Sequence, residues 1–122
     1  MCIRDRLGHR RDVPRLLRAF DIACLSSLGE GFPNAIGEAM ATGLPCVVTD
    51  VGDCAHLVGA TGRVVPPRNP EALAEALLAL ISAPEAERQR LGALARQRID
   101  QEFSLAAVAE RHMAIWTEVA RG

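Results

Sequence analysis

Two glutamates and two glycines form a pattern in the sequence that suits the binding of a sugar. Glu30 lies between Gly29 and Gly31, and Glu38 follows Glu30 after seven intervening residues. Carboxylates accept hydrogen bonds from hydroxyl groups, and glycines allow a backbone to turn tightly and to approach a ligand closely. Taken singly, Glu38 is more often a solvated helix residue and Glu30 a loop charge, because glutamate is common on protein surfaces. The surrounding sequence decides between these interpretations.

The residues around the two glutamates predict a strand, a glycine turn and a helix. The apolar run 22–25 precedes the turn, and Pro33 has the φ angle that suits the first turn of a helix. Gly43, with Pro45 two positions later, indicates where that helix ends. In an open α/β sheet, such a corner lies at the carboxyl end of a strand, where the free N–H groups of the helix N-terminus favour an anion.

The predicted helix has one apolar face and one polar face. At ~100° per residue, Ile36 and Met40 share one face and Glu38 lies on the opposite one. Glu30 lies in the turn, before the helix begins. A turn carboxylate, a row of backbone donors and a helix carboxylate together suit a nucleotide-linked sugar, since N–H groups can meet phosphate and carboxylates can meet hydroxyls.

The segment as a whole resembles the signature of the family 4 retaining glycosyltransferases, whose hallmark is two glutamates separated by seven residues. The matching motifs are Glu30-Gly31-Phe32-Pro33-Asn34, Glu38-Ala39-Met40-Ala41 and Gly43-Leu44-Pro45. The resemblance continues through 49–52 and 62–67, and it covers nearly the whole chain from about residue 7. It implies the GT-B fold, in which two Rossmann-like domains face a cleft.

The resemblance implies both a fold class and an activity. The fold it implies is α/β, with a Rossmann-like three-layer αβα arrangement, of which this chain would be a partial C-terminal domain with a short parallel sheet and C-terminal helices. The activity it implies is that of a hexosyltransferase, which moves a glycosyl group from a nucleoside diphosphate sugar to an acceptor with retention. No separate cofactor is expected, because the nucleotide sugar is itself the donor substrate. The acceptor, whether a sugar, a lipid or a small molecule, stays open.

The resemblance also implies roles for particular residues. Glu30 would be the catalytic residue and contact the donor sugar, and Glu38 would bind the ribose of the nucleotide. Backbone amides around Gly31, Phe32, Asn34 and Ala35 would face the donor sugar and its diphosphate. The residues that bind the sugar and diphosphate would comprise Glu30, Gly31, Phe32, Pro33, Asn34 and Ala35. His56 takes a position that is often Glu in the family, so no role is carried over to it.

The resemblance implies a division of the chain into three segments. Residues 1–7 are expected to be a truncated or non-native start, 8–103 the partial nucleotide-sugar-binding domain, and 104–122 a helix that would cross to an N-terminal domain missing here. The strands that carry an Arg and a Lys to clamp the diphosphate would also be missing, and the chain contains no lysine. We therefore expect the 122-residue chain by itself neither to turn over donor nor to behave as a clean monomer.

The composition argues against several other partners. A net charge of −1 gives no electrostatic case for nucleic acid or an anionic membrane surface. No apolar run approaches the ~18 residues of a membrane helix and no signal peptide opens the chain, which favours a cytoplasmic protein, or one peripheral at the inner membrane face when complete. No metal is expected, because no cluster of Asp or His offers ligands. Cys24 and Cys46 fall in predicted buried strands and are expected to be reduced structural thiols.

Apolar spacing predicts the first elements of the scaffold. Asp12 is expected to cap a helix whose apolar face comprises Val13, Leu16, Leu17 and Phe20. The apolar runs 22–25 and 46–48 are expected to be strands buried on both faces, as in a parallel sheet. A short helix through 55–58 and a third strand at 63–65 are expected to follow.

The rest of the chain predicts three helices. Asn69 caps the first and Pro70 opens it, Pro84 starts the second, and Ser104 caps the third. The inward faces are expected to comprise Leu73, Ala76, Leu77, Leu80 and Ile81 in the first helix, and Leu91, Leu94, Ala95 and Ile99 in the second.

Two interpretations from other classes stay open. Gly29-Glu30-Gly31 follows a strand and precedes a helix, and Asp50 ends the next strand 21 residues after Gly29, which mimics the NAD(P)-binding Rossmann module of an oxidoreductase. Against this, Asn34 stands in place of the third glycine, and Pro33 lies where the helix should pack closely on the strand. The other interpretation is a non-catalytic remnant whose apolar helices bind a partner.

Overall fold

A short parallel sheet forms the centre of the structure, a computed structural model that describes residues 6–122. Its strands are β1 (Ala23–Leu25), β2 (Cys46–Thr49) and β3 (Arg63–Val65), in the order β1-β2-β3. Both neighbouring pairs are parallel. The predicted α/β class and the predicted parallel sheet are therefore confirmed. Most of the segment expected to be a non-native start, 1–5 of 1–7, lies outside the described residues.

Helices connect the strands and complete the chain. Helix α2 links β1 to β2 and helix α3 links β2 to β3, so that the sheet consists of two overlapping βαβ units. Helix α5 runs directly into a single π-helical turn before the last helix begins. The bounds are α1 (Val13–Leu17), α2 (Asn34–Ala41), α3 (Cys54–Val58), α4 (Pro70–Ser82), α5 (Glu85–Arg98), the π-helical turn (Ile99–Phe103) and α6 (Leu105–Arg121).

Strand β2 is buried on both faces and divides the core into two parts. Because side chains alternate along a strand, Cys46 and Val48 pack among the residues of α2 and α3. Val47 packs on the other side, against Leu80 of α4 and Leu91 of α5. The sheet therefore lies between α2 with α3 on one face and α4 on the other, which is the expected three-layer αβα arrangement.

The predicted helix ends are confirmed where a local signal marks them. The Asn69 side chain accepts a hydrogen bond from the N–H of Ala72 at 3.0 Å and caps α4. Ser104 Oγ accepts from the N–H of Ala107 at 3.2 Å and caps α6. Gly43 follows α2 with φ +87°, the left-handed conformation in which helices commonly end.

The prediction for the first helix is wrong in two respects. Helix α1 has only five residues, and Asp12 does not cap it with its side chain. The Asp12 carboxylate instead receives two hydrogen bonds from Arg10, at 2.7 and 2.8 Å. Only Leu17 is buried, whereas Val13 and Phe20 are exposed. The helix ends at Leu17, before Phe20, so Phe20 does not lie on its core-facing side. The apolar spacing therefore predicted a longer helix than the structure has.

The prediction that β1 is buried on both faces is also wrong, because Cys24 is exposed. Ala23 and Leu25 pack against the core beside α2, so Cys24 points to the opposite face of the sheet. Helix α4 covers that face over β2 and β3. Cys24 pairs in register with Val47. Helix α4 packs over Val47 but does not extend over Cys24 on the neighbouring edge strand.

Two residues predicted to face inward from the later helices are exposed, namely Ile81 of α4 and Leu94 of α5. Each lies about a quarter turn from the centre of its helix's packing face, since successive residues are ~100° apart. In α5, the buried residues are Leu91, Gly92 and Ala95. Helix α6 is present as predicted, and none of its residues is buried.

Candidate functional site

Glu30 is held at the carboxyl edge of the sheet by a chain of two hydrogen bonds. Ser27, in the segment after β1, donates from its Oγ to Glu30 Oε1 at 2.5 Å. Thr49, the last residue of β2, donates from its Oγ1 to the Ser27 carbonyl at 2.6 Å. Glu30 is half-buried, and its second carboxylate oxygen has no hydrogen-bond partner in the part of the chain that the structure describes. That oxygen is available to a ligand hydroxyl.

Gly29 and Gly31 flank Glu30 but are not required by the local backbone conformation. Neither has a φ angle in the left-handed region, so other residues could adopt the same backbone conformation at these two positions. A Cβ atom built on either would meet nothing within 4 Å. The consequence is open space directly over the backbone on both sides of Glu30, where a ligand can approach closely.

The lack of a side chain at Gly52 allows the Glu30 turn to pack closely against residue 52. Gly52 was not among the site residues predicted from the sequence. Its φ angle is +50°, and a Cβ there would overlap the Glu30 carbonyl oxygen and lie 2.6 Å from the Gly31 carbonyl oxygen. The neighbouring Asp53 N–H donates to the Gly31 carbonyl at 3.0 Å. The signal in the sequence is a glycine just after a strand, but the sequence does not say which segment approaches it.

The start of α2 presents several backbone amides beside Glu30. Ile36 and Gly37 donate to the Pro33 carbonyl at 3.0 and 3.2 Å, and Asn34 N–H donates to the Phe32 carbonyl at 3.0 Å. Within residues 6–122, the amides of Gly31, Phe32 and Ala35 have no hydrogen-bond partner. Of the amides expected to face the donor, that of Asn34 is thus already occupied. Pro33 is buried and has no N–H to donate.

Glu38 lies on the exposed face of α2, opposite the buried Ile36 and Met40, as the helical spacing predicted. A cavity of about 310 Å³ lies along this face. Three of the predicted site residues line it, namely Phe32, Asn34 and Glu38, whereas Glu30 is not part of its lining. Its other lining residues are Gly37, Ala41, Ile99 and Phe103. The structure therefore brings the helix residues and Phe32 to one cavity and leaves Glu30 in the adjoining turn.

An aromatic contact joins the turn to the end of the π-helical turn. The rings of Phe32 and Phe103 have centroids 5.8 Å apart, and Phe103 also makes an edge contact with His56 at 5.6 Å. Arg98 donates to the carbonyls of Leu57 at 2.9 Å and His56 at 2.6 Å, and its guanidinium lies 5.6 Å from the Phe103 ring centroid. Nothing in the sequence predicts these contacts, because Leu57 and Arg98 are 41 positions apart.

A smaller cavity of about 190 Å³ lies at the carboxyl ends of all three strands, next to the start of α4. It contains none of the predicted site residues. Its lining comprises Ser26, Leu28, Thr49, Pro66, Arg68, Asn69, Pro70 and Leu73. Arg68 has φ +57°, the only left-handed φ of a residue other than glycine within 6–122.

The family model described as "Glycosyl transferases group 1" matches residues 5–83. The chain belongs to this family. The segment matched includes the Glu30 turn, α2, the Gly52 turn and all three strands. Membership of the group 1 family supports the resemblance drawn from the motifs, while the narrower assignment to family 4 stays a prediction.

Two curated relatives of this chain are named as a mannosyltransferase and a synthase. The chain is 35% identical over 108 residues to the MMP alpha-(1->4)-mannosyltransferase of Mycolicibacterium hassiacum, covering 86% of this chain and 26% of that protein. It is 30% identical over 124 residues to the N-acetyl-alpha-D-glucosaminyl L-malate synthase of Bacillus anthracis, covering 98% and 32% respectively. The chain thus spans between a quarter and a third of the length of these relatives.

Solved structures of GT-B glycosyltransferases have the same arrangement of strands and helices. The sucrose-phosphate synthase from Thermosynechococcus elongatus superposes with a TM-score of 0.76 at 28% identity, over 87% of this chain and 27% of that one. A glycosyltransferase from Rickettsia africae superposes with a TM-score of 0.85 at 24% identity, over 95% and 32%. These likenesses confirm the expected fold class. None of the helices within residues 6–122 has the length and apolar character to span a membrane.

Proposed function

We propose that this chain forms the donor-binding part of a glycosyltransferase that moves a glycosyl group from a nucleoside diphosphate sugar to an acceptor. The observation that carries the proposal is the Glu30 carboxylate, held by Ser27 at 2.5 Å beside unhindered glycine backbone, in a chain of the group 1 family. Another relative, 53% identical over 45 residues, is named as a galactosyltransferase that uses UDP-Gal. The name of that relative supports a nucleotide sugar as the donor.

The proposed role of Glu30 is to bind the donor sugar. One of its oxygens accepts from Ser27, and the other would accept a hydrogen bond from a sugar hydroxyl. Hydrogen bonds to a charged group contribute ~1.5–3 kcal/mol, which is enough to orient the sugar. We propose Glu30 as the catalytic residue of the set, because a contact that strengthens as the glycosyl group develops positive charge accelerates transfer.

The start of α2 would hold the diphosphate. When the bond between the sugar carbon and the diphosphate oxygen breaks, negative charge builds up on the departing group. The unpaired amides of Gly31, Phe32 and Ala35 lie at the amino end of an eight-residue helix, and both the amides and the helix dipole favour negative charge there. We also propose that the configuration at the sugar carbon is retained, because the family that the sequence resembles transfers sugars with retention.

The ribose would lie in the cavity along α2. Glu38 lines this cavity of about 310 Å³ together with Asn34 and Gly37. Its carboxylate is exposed and would accept hydrogen bonds from the two ribose hydroxyls. Phe32 lines this cavity and lies two residues after Glu30, so one nucleotide sugar bound across the turn would reach both glutamates.

The wider architecture completes the proposal. Residues 8–103 would bind the nucleotide sugar, and 104–122 would pack on a further domain through the apolar face of α6, where Ile115, Trp116 and Val119 are exposed. The acceptor would be a sugar, a lipid or a small molecule. The free thiols of Cys24, Cys46 and Cys54 support a reducing compartment, the cytoplasm or its membrane face, because disulfides are characteristic of oxidising ones.

Glycosyl transfer is favoured over the two alternatives. Membership of the group 1 family points to sugar transfer rather than to an NAD(P)-dependent oxidoreductase. The geometry agrees, since neither Gly29 nor Gly31 uses the left-handed conformation and Asn34 replaces the third glycine of the dinucleotide motif. A non-catalytic remnant would not need to keep the Ser27–Glu30 hydrogen bond beside open backbone.

The experiment that tests the proposal is an NMR titration of the ¹⁵N-labelled chain with UDP-galactose, GDP-mannose and NAD. We expect saturable shifts for one of the nucleotide sugars, centred on residues 30–38, and none for NAD. The matched control is Glu75→Gln, a change on the exposed face of α4 that should leave the titration unchanged. Saturation by NAD alone would support the oxidoreductase module, and the absence of any saturable shift would support the remnant.

A further inference from the structure

We propose that Gly52 is a positioning residue that sets the backbone of the Glu30 turn. Its backbone presses against the carbonyl groups of Glu30 and Gly31, so closely that a Cβ at residue 52 would overlap the first and lie 2.6 Å from the second. The consequence for donor binding rests on the proposed function, whereas the backbone contact itself does not. Gly52 would touch no substrate and would act through Glu30.

The segment that contains Gly52 is held in place by its own hydrogen bonds and by the burial of Cys54. The Cys54 N–H donates to the Val51 carbonyl at 3.1 Å and closes a tight turn with Gly52 inside it. Cys54 is then fully buried, and the Leu57 N–H donates to the Asp53 carbonyl at 2.8 Å in the first turn of α3. A side chain added at Gly52 therefore cannot be accommodated by movement of this turn without disturbing the core.

The Glu30 turn is the side that would move. Gly29 and Gly31 have open space around them, and Glu30 is only half-buried. A Cβ at residue 52 would push the Glu30–Gly31 peptide outward, since Gly31 is exposed whereas Cys54 at the start of α3 is buried. The same movement would break the hydrogen bond from the Asp53 N–H to the Gly31 carbonyl, now 3.0 Å long, and would pull the Glu30 carboxylate away from Ser27.

A positional effect of this kind matters more for a bound sugar than for the fold. A misplacement of about 1 Å in a positioning group can lower a reaction rate by about a hundredfold. Glu30 meets the sugar and the Gly31 amide meets the diphosphate in the proposed function, while Glu38 lies within α2, outside the peptide that Gly52 contacts. The expected signature is a loss of affinity for the nucleotide sugar, which meets both Glu30 and the Gly31 amide, that exceeds the loss for the bare nucleoside diphosphate, which meets only the amide.

The substitution Gly52→Ala tests the inference against Gly43→Ala as its matched control. Gly43 has φ +87°, so an alanine there is strained by its backbone conformation, but its Cβ would lie 3.9 Å from the nearest atom, the Gly92 carbonyl. Both variants should therefore lose stability through the left-handed φ. Only Gly52→Ala adds the overlap with the Glu30 turn.

Two readouts on the 122-residue chain separate the outcomes. Without ligand, Gly52→Ala should shift the amide resonances of residues 30–32 and speed their hydrogen exchange, and Gly43→Ala should do neither. With ligand, Gly52→Ala should weaken binding of the nucleotide sugar by about tenfold or more and that of the nucleoside diphosphate by a smaller factor, because the displaced peptide carries the Gly31 amide as well as Glu30. Ligand-free spectra of residues 30–32 that match in the two variants would overturn the inference.

The ligand-free readout keeps this test independent of the proposed function. If the wild-type chain bound no nucleotide sugar, the proposed function would fail, and the resonances of residues 30–32 would still decide the role of Gly52. Should Gly52→Ala not fold, an amide-to-ester substitution at residue 53 replaces the N–H that bonds to the Gly31 carbonyl with an oxygen and adds no side chain at residue 52. It should shift the same resonances to a smaller extent, and unchanged resonances there would overturn the inference.

Discussion

The hydroxyl of Ser27 donates to Glu30 Oε1 at 2.5 Å, which makes the orientation of the Glu30 carboxylate a property of the sheet. The Ser27 carbonyl is itself fixed by the hydroxyl of Thr49 at the end of β2, at 2.6 Å. The turn that carries Glu30 is thereby tied to the central strand. A carboxylate held in this way loses little rotational freedom when it binds a ligand, and pre-organisation of this kind adds to affinity.

Removing the Ser27 hydroxyl should release Glu30 without unfolding the chain. We expect Ser27→Ala to weaken binding of the nucleotide sugar by ~0.5–1.5 kcal/mol, the usual contribution of one hydrogen bond, and to leave the nucleoside diphosphate affinity unchanged. Calorimetry with both ligands measures the difference. Ser26→Ala is the control, because Ser26 is exposed and lines the separate cavity of about 190 Å³, which does not include Glu30. Equal effects of the two serine variants would contradict the role given to Ser27.

The ribose role of Glu38 predicts the opposite selectivity. Glu38→Gln should weaken binding of the nucleoside diphosphate and of the nucleotide sugar alike, by ~1.5–3 kcal/mol. The melting temperature should not change, because Glu38 is exposed and lies opposite the buried Ile36 and Met40. Glu75→Gln serves as the control. Unchanged calorimetric affinity for the nucleoside diphosphate would remove Glu38 from the site.

Gly31→Ala is a probe that should disturb the ligand and not the fold. A Cβ at residue 31 meets no atom within 4 Å, and the φ angle of Gly31 is not left-handed, so the variant should be as stable as the wild type or more stable by ~0.4–1 kcal/mol. Donor affinity should fall, since the methyl group would occupy the space proposed for the sugar and diphosphate.

Gly62→Ala checks that the denaturation assay responds to a crowded glycine. Its Cβ would overlap the Cys46 carbonyl oxygen and lie 2.9 Å from the Val58 side chain. The Gly62→Ala variant should therefore have an unfolding free energy lower by more than ~1 kcal/mol.

A Gly31→Ala chain that bound donor as tightly as the wild type would argue that no ligand approaches the backbone at residue 31.

Alkaline pH should destabilise the fold through its buried cysteines. Burial raises the pKa of the Cys46 thiol from 9.0 to about 12, so between these values the folded chain keeps a proton that the unfolded chain has lost. Stability should therefore fall as pH rises, by up to ~1.4 kcal/mol per pH unit for this one thiol. The chain has no lysine and no tyrosine, but burial also raises the pKa of the Cys24 and Cys54 thiols, so cysteine variants are needed to isolate the contribution of Cys46.

The slope of stability against pH is the measurement for this prediction, taken from urea denaturation between pH 9 and about 12. Cys46→Ala should reduce the slope, even though it also lowers stability at neutral pH by removing a buried side chain. Cys24→Ala should change it less, because Cys24 is exposed. A slope that Cys46→Ala leaves unaltered would mean that Cys46 titrates normally in the folded chain.

The sequence predicts those parts of the fold that depend on neighbouring residues. The end of α2 at Gly43 and the caps at Asn69 and Ser104 are confirmed, because capping acts within one helical turn. The strands could be predicted because a buried parallel sheet requires continuous apolar runs. Glu38 was placed on the exposed face of α2 by helical spacing alone.

What the sequence does not predict depends on segments far apart in the chain. The exposure of Cys24 follows from which strands α4 covers, and apolar content carries no such information. The approach of Gly52 to Glu30 and the contacts of Arg98 with the end of α3 join residues 22 and 41 or more positions apart. The sequence therefore points to the glutamates of the candidate site, whereas the groups that fix Glu30 in place emerge only from the tertiary structure.

The most direct test of the central claim compares the affinities of the Glu30→Ala chain for a nucleotide sugar and for the corresponding bare nucleoside diphosphate. We expect isothermal calorimetry to show a loss of ~1.5–3 kcal/mol for the nucleotide sugar, the contribution of hydrogen bonds to a charged group, with little change for the nucleoside diphosphate. That result would locate the sugar at the carboxylate that Ser27 holds at 2.5 Å. If the two affinities fell together, or if neither changed, Glu30 would not bind the donor sugar and the proposed site would be wrong.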